Sequence, residues 1–317
     1  MIGSVIINGI DIADFGAMII RGGDNDFLLM PERKAPPQNN WYEYDGLDVD
    51  LSEIYFNARN LSVGFYISAR SSLEYQYNLN ELYKLISAGY IDLYSREFDK
   101  IFNLRYINVP EYNHKGGFYK QGAKGGQFTI AFSMDTPTQL FTRPDILTPV
   151  STMRYSPSGI LLNDIDLADF GIIVNECYSS MLPLPAVKAP LTRSFAKRSG
   201  LLAYPSSNPT FEAKENIIKC TMAAPTRAEF YRNYDALFNN LCKTGEISIE
   251  SYLGVAACYY MKMEDFKKLG VFSGGVKVSF ALRLMQIDAG LTVFVLGTSG
   301  RSAILTEDGK YIIEINT

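Results

Sequence analysis

The chain has 317 residues, 47% of them apolar and 20% charged, with a formal net charge of −4. That composition is globular rather than disordered, and the length holds two domains of ordinary size, each able to bury a core without metal or disulfide. The acidic balance argues against a general nucleic-acid binder, which needs a basic excess against phosphate. With no run of about 18 apolar residues and no charged-then-apolar leader, a soluble protein not exported by its own signal is expected.

From the N-terminus, residues 6–16 read Ile-Ile-Asn-Gly-Ile-Asp-Ile-Ala-Asp-Phe-Gly. This is a strand, a turn and a short connection in which Asp side chains bond nearby backbone amides. Asp11 and Asp14, three apart, could instead hold a hard cation, but no calcium loop closed by a bidentate glutamate follows. Lys34-Ala35-Pro36 precedes an aromatic cluster at Trp41, Tyr42 and Tyr44. Trp41 is the sole tryptophan, and in a loop or edge it either anchors an interface or closes the end of its own sandwich. These three aromatics are the candidate interface residues.

A strand is predicted over Asn60 to Ile67, then a helix opened by the capping box Ser71-Ser72-Leu73-Glu74. Leu79, Leu82, Tyr83 and Ile86 recur at helical spacing, and Gly89 is expected to stop the helix. Strands follow at Tyr90 to Leu93, Phe98 to Tyr106 and Phe128 to Met134. Between the last two, residues 115–126 combine three lysines, five glycines and two aromatics. They lack the Gly-Lys-Ser/Thr ending and the strand-to-helix setting of a phosphate-binding loop. A mobile hairpin loop is expected, whose Lys115, Lys120 and Lys124 would face passing DNA or a partner. His114, the only histidine, reads as a solvated loop residue, which removes most triad chemistries.

The sequence then repeats itself. Residues 161–171 read Leu-Leu-Asn-Asp-Ile-Asp-Leu-Ala-Asp-Phe-Gly, offset by 155 from the first motif, and Lys188-Ala189-Pro190 echoes Lys34-Ala35-Pro36 at an offset of 154. Thr226-Arg227-Ala228-Glu229 opens a second helix carrying Phe230, Tyr234, Leu237, Phe238 and Leu241, with Gly245 as its expected stop. Strands are predicted at Asn216 to Met222, Ile247 to Glu250, Gly254 to Met261 and Val276 to Met285. A repeat of this length is a domain rather than a solenoid unit, and two like domains present two like surfaces.

The expected fold is mainly β (α+β): two similar β-sandwich or partly open barrel domains, each with one amphipathic helix. The first domain is placed at 1–136, a linker rich in proline at 137–158, the second domain at 159–289, and a C-terminal β extension at 290–317. Within the extension, Glu307-Asp308-Gly309 between apolar runs predicts a hairpin. Cys177, Cys220, Cys242 and Cys258 all lie in the second copy at spacings that suit no metal pair, and read as buried free thiols of a reducing compartment. No catalytic residue, cofactor or metal site is expected.

The ordered series Asn-Gly-Ile-Asp-Ile-Ala-Asp-Phe-Gly at 8–16, Lys34-Ala35-Pro36, Asn40-Trp41, Asp45-Gly46-Leu47-Asp48-Val49-Asp50-Leu51 and Arg59-Asn60-Leu61-Ser62-Val63 resembles the distal tail protein family of phages and prophages. Copy two keeps the opening and the Lys-Ala-Pro but shows Arg193-Ser194-Phe195 and a more basic segment where the first has Trp41 and the Asp-rich run. The resemblance implies a non-enzymatic protein of the virion tail, assembled in the host cytoplasm. It implies a ring that stacks between tail tube and hub or spike proteins, with DNA passing through its lumen and no membrane partner. The duplication adds a choice between a hexamer and a trimer imitating a six-fold ring. A different class, a carbohydrate-binding or carbohydrate-active β-sandwich, would use aromatics to stack on sugars and acids such as Asp45, Asp48 and Asp50 in a cleft.

Overall fold

Alternation of apolar and polar residues sets the frame of each half. Along Arg59–Ala69 and Lys214–Ala224 nearly every second side chain is buried, as a strand with one face on a core requires. The computed structural model describes residues 5–115, 124–141, 148–153, 155–204, 209–252, 254–270, 275–288, 304–305 and 311–312.

The first half contains β1 (Val5–Ile7), β2 (Ile10–Asp11), β3 (Ala17–Ile19), β4 (Gln38–Asn39), β5 (Asp48–Val49), β6 (Arg59–Ala69), α1 (Ser72–Ile86), β7 (Tyr90–Ser95), β8 (Lys100–Lys115) and β9 (Lys124–Met134). The second contains β10 (Leu161–Leu162), β11 (Ile165–Asp166), β12 (Ile172–Glu176), a one-turn helix α2 (Tyr178–Met181), β13 (Leu191–Ser194), β14 (Leu201–Tyr204), β15 (Lys214–Ala224), α3 (Arg227–Leu241), β16 (Ile247–Ser251), β17 (Gly254–Lys268) and β18 (Val276–Gln286). A seven-stranded antiparallel sheet runs in the order β2-β1-β7-β8-β9-β6-β3, and a second in the order β11-β10-β16-β17-β18-β15-β12. The two orders agree position for position. The fold is mainly β, as expected.

β2 and β3 stand at opposite ends of their sheet, yet only residues 12–16 separate them. At about 3.5 Å per residue the two edges lie within roughly 20 Å, so the sheet curls into an open barrel. The repeated motif makes this connection. Asp11 Oδ1 accepts from Ala13 N at 3.0 Å and Asp166 Oδ1 from Ala168 N at 2.8 Å, each capping a single 3-10 turn. Gly16 (φ +64°) and Gly171 (φ +75°) end those turns, where a Cβ would stand 2.3 Å from Ser68 O and 2.6 Å from Ala223 O. Left-handed backbone against a neighbouring strand leaves room for glycine alone, which is why the motif reads alike in both copies.

The helices follow β6 and β15. Ser71 Oγ accepts from Glu74 N and Thr226 Oγ1 from Glu229 N, both at 3.2 Å, as the capping boxes predict. α1 buries Tyr75, Leu82 and Ile86, and α3 buries its Phe230, Tyr234, Leu237, Phe238 and Leu241. The helices end before the expected glycines, with Ser87 and Cys242 as caps; Gly89 (φ +96°) and Gly245 (φ +83°) instead shape the turns into β7 and β16.

Two further expectations are corrected. His114 is not a loop residue: it pairs with Gly126 in the β8–β9 ladder, with its ring edge-on to Tyr75 at 5.3 Å. Gly125 and Gly126 belong to β9 rather than a loop, because a Cβ there would strike the Tyr66 and Tyr75 hydroxyls at 2.5 and 2.0 Å. The proline-rich connection packs on α3: the Phe141 and Phe238 rings lie tilted with centroids 4.1 Å apart, and Val150 N donates to Asn233 Oδ1 at 2.8 Å. Cys177, Cys220 and Cys258 are buried and Cys242 half-buried, all four free; burial pushes the Cys258 thiol up to about 12 and Cys220 further. At the C-terminus, β19 (Ile304–Leu305) pairs antiparallel with β20 (Tyr311–Ile312), the hairpin predicted around Asp-Gly.

Candidate assembly interface

Between β3 and β6 the first half sends out residues 20–58 as an arm. It narrows at an isolated bridge between Arg33 and Phe56 and ends in the β4–β5 hairpin, whose tip holds Trp41, Tyr42 and Tyr44. The arm leaves its own barrel and lies on the other one.

Its root is fixed first. Phe27 stacks on Phe102 at 4.4 Å inside the first barrel. Arg59, fully buried, donates to the Asp26 and Phe27 carbonyls at 2.8 and 3.0 Å; burial lowers its pKa to about 10, so the guanidinium keeps its charge at neutral pH. From the second barrel, the Tyr234 hydroxyl donates to Leu28 O, and the Tyr260 hydroxyl donates to Pro31 O at 3.1 Å. Lys268 of β17 reaches Asp24 at 2.7 Å and Glu97 at 2.8 Å in a nearly dry site. Burial raises the Asp24 pKa while the Lys268 ammonium opposes that rise. The buried apolar residues of both halves consequently form one continuous cluster.

Further out, β17 carries a bulge between Tyr260 and Lys262, which turns the Met261 carbonyl out of the ladder. Arg33 N takes it at 2.8 Å, and the Arg33 guanidinium lies over the Tyr259 ring, 5.3 Å from its centroid. Leu51 forms a small second core with Tyr259 and Ile287, flanked by Val49, Ala257, Met261 and Met285. Leu47 N donates to Ile287 O at 2.9 Å.

At the tip, the Lys188 ammonium donates to the carbonyls of Trp41, Tyr44 and Gly46 at 2.6, 2.6 and 2.9 Å. Lys188 is only 4% exposed. Three charge-assisted bonds offset the burial of its charge, with no carboxylate needed. The candidate aromatics thus join the second half through their backbone, while their side chains stay exposed; Trp41 Nε1 donates to Asp48 Oδ2 at 3.1 Å. Asp50 accepts from Ser52 N within its own turn, whereas Asp45 accepts from Phe211 N at 2.8 Å and so adds a bond between the two halves.

The second half sends out a like arm, residues 177–213, between β12 and β15. It narrows at a bridge between Val187 and Phe211 and ends in the β13–β14 hairpin. Pairing Asn39 with Asp48 corresponds to pairing Arg193 with Leu202, both shifted by 154. Lys188 was marked in the sequence only as part of an echo of Lys34-Ala35-Pro36; the clamp it makes was invisible there, because its acceptors are main-chain oxygens.

Of the lysines expected on the 115–126 loop, Lys115 ends β8 and Lys124 opens β9 opposite Ala69. Lys124 is buried, which corrects its placement in a solvated loop. Lys120 lies outside the described residues. Among the described residues no cluster of His, Cys, Asp or Glu is arranged to hold a metal ion, and no helix is long and apolar enough to cross a membrane.

No family model matches the chain, and no curated protein matches it. Among solved structures, one similar chain is that of the "SPP1 Dit (gp 19.1) Protein, a Paradigm of Hub Adsorption Apparatus in Gram-positive Infecting Phages". It is 9% identical with a TM-score of 0.32, covering 89% of this chain and 98% of that one.

Proposed function

We propose that this protein is a structural ring subunit of a phage or prophage tail tip or baseplate, and not an enzyme. Three chains contribute two barrels each to a ring of six like barrels, at the end of the tail tube and next to hub or spike proteins. The lumen lets DNA pass. The subunit works through barrel-to-barrel contacts rather than through a cleft with reactive groups.

One observation carries the reading: two barrels of identical strand order occur in one chain, with the arm of the first seated on the second. That contact is heterologous, joining unlike surfaces of like units, and contacts of this kind propagate head to tail until a ring closes. The ordered residue series at 8–63 that resembles distal tail proteins supplies the setting. Light scattering on the purified protein tests the reading. A particle of three chains is the expected result; a particle of six would replace the trimer by a conventional hexamer, and a monomer at high concentration would refute the ring.

A further inference from the structure

Inside the chain, the second half holds the first arm at two stations, one at the root of the second arm and one on the second barrel, and each has an unoccupied counterpart elsewhere in the same molecule. The first station is Lys188, whose backbone N donates to Thr210 O at 2.8 Å while its ammonium holds the three tip carbonyls. Its counterpart is Lys34, whose N donates to Tyr55 O at the same 2.8 Å. Lys34 is exposed, however, and its ammonium meets no acceptor among the described residues.

The tips correspond as closely. Tyr44 N donates to Trp41 O at 3.4 Å and Arg198 N to Phe195 O at 3.2 Å, while Gly46 and Gly200 both take positive φ, +69° and +91°. The second arm therefore presents the carbonyls of Phe195, Arg198 and Gly200 in the turn that Lys188 grips in the first.

The second station is the strand bulge. β8 is irregular between Tyr106 and Asn108, as β17 is between Tyr260 and Lys262. Ile107 thus stands where Met261 stands, and Val187 where Arg33 does. Ile107 is 43% exposed and Val187 51%, whereas Tyr260, the counterpart of half-buried Tyr106, is 1% exposed. What the first arm covers on the second barrel is open on the first barrel.

We propose that the second arm of one chain docks on the first barrel of the next chain. Lys34 then grips the carbonyls at Phe195, Arg198 and Gly200, and Val187 N donates to Ile107 O. The occupant is a second copy of this chain, and the inference rests on the ring reading above, to which it assigns the contact between chains. Chemistry at the rim supports it. The face under the first arm is apolar, with Ala257, Tyr259 and Ile287; by register the matching face of the first barrel has Asn103, Arg105 and Asp135 instead, the last two bonded to each other at 2.8 Å. A surface that waits in water for a partner must be more polar than one covered during folding.

The test is a cysteine pair in the full chain, Ile107→Cys with Val187→Cys. Backbone groups in hydrogen-bond contact place Cα atoms within disulfide reach. Mild oxidation of the assembled protein should give covalently linked chains on a non-reducing gel, and neither single variant should. A companion variant, Lys34→Glu, should weaken association at least about tenfold, by losing three charge-assisted bonds, and leave the denaturation midpoint of the dissociated chain unchanged. An oligomer that forms no cross-link and tolerates Lys34→Glu overturns the arm assignment and leaves the ring standing. Failure to associate at any concentration overturns both.

Discussion

The two arms are built on one plan and live in different surroundings. Residues 20–58 run over a neighbouring barrel, share a dry ion pair with it and end in the grip of a buried lysine. Residues 177–213 have the same bridge and the same hairpin, yet Leu201 is 61% exposed where its counterpart Leu47 is half-buried. Identical topology therefore does not give identical burial: what decides it is whether a second barrel stands in front. The chain shows, within itself, one filled and one unfilled instance of the same contact.

The comparison can be broken by removing what fixes the filled arm. Lys268→Met strands the Asp24 carboxylate in a site where it is 5% exposed, and should cost about 3–5 kcal/mol by denaturant titration. Adding Asp24→Asn should recover most of that, because the orphaned charge is then gone. Phe141→Ala, which empties the contact with Phe238, should cost about 3 kcal/mol. A small effect would mean that the connecting segment does not brace α3.

The matched lysines sharpen the contrast. Lys188→Met should destabilise the dissociated chain by about 2–3 kcal/mol, since three carbonyls lose a charged donor. Lys34→Met in the same state should stay within about 0.5 kcal/mol of the parent. Equal effects would erase the difference between covered and open stations. The smallest effect comes from the helix caps. Ser71→Ala and Thr226→Ala should each cost about 1 kcal/mol, as equivalent N-caps would. Their glutamates should differ: Glu74 reaches back to Arg70 N, whereas Glu229 binds Thr152, so Glu229→Ala alone should loosen residues 148–153 to hydrogen exchange.

Much of this architecture was legible in the residues. The doubled Asp-x-Ala-Asp-Phe-Gly motif marks the one connection where a cap and a left-handed glycine are both compulsory, and the capping boxes located both helices. Strand ends were less legible. β8 runs on to Lys115 and β17 to Lys268, because bulges after Tyr106 and Tyr260 break the alternation that a sequence reader follows. The interface was the least legible part. Trp41, Tyr42 and Tyr44 stand out in the sequence for their side chains, whereas the contact runs through their carbonyls, Trp41 and Tyr44 to Lys188 and Tyr42 to Thr210, and main-chain acceptors leave no compositional trace. The echo of Lys34-Ala35-Pro36 at 188–190 was the available signal.

End-on electron microscopy of the purified protein tests the central claim most directly, since it counts barrels and chains together. Rings of six similar lobes with three-fold symmetry, in which Val187 of each chain rests on the 107 bulge of the next and the 191–204 hairpin reaches Lys34 of that chain, are what this account predicts. Separate two-lobed particles at every concentration, or rings in which that hairpin points into solvent, would contradict it.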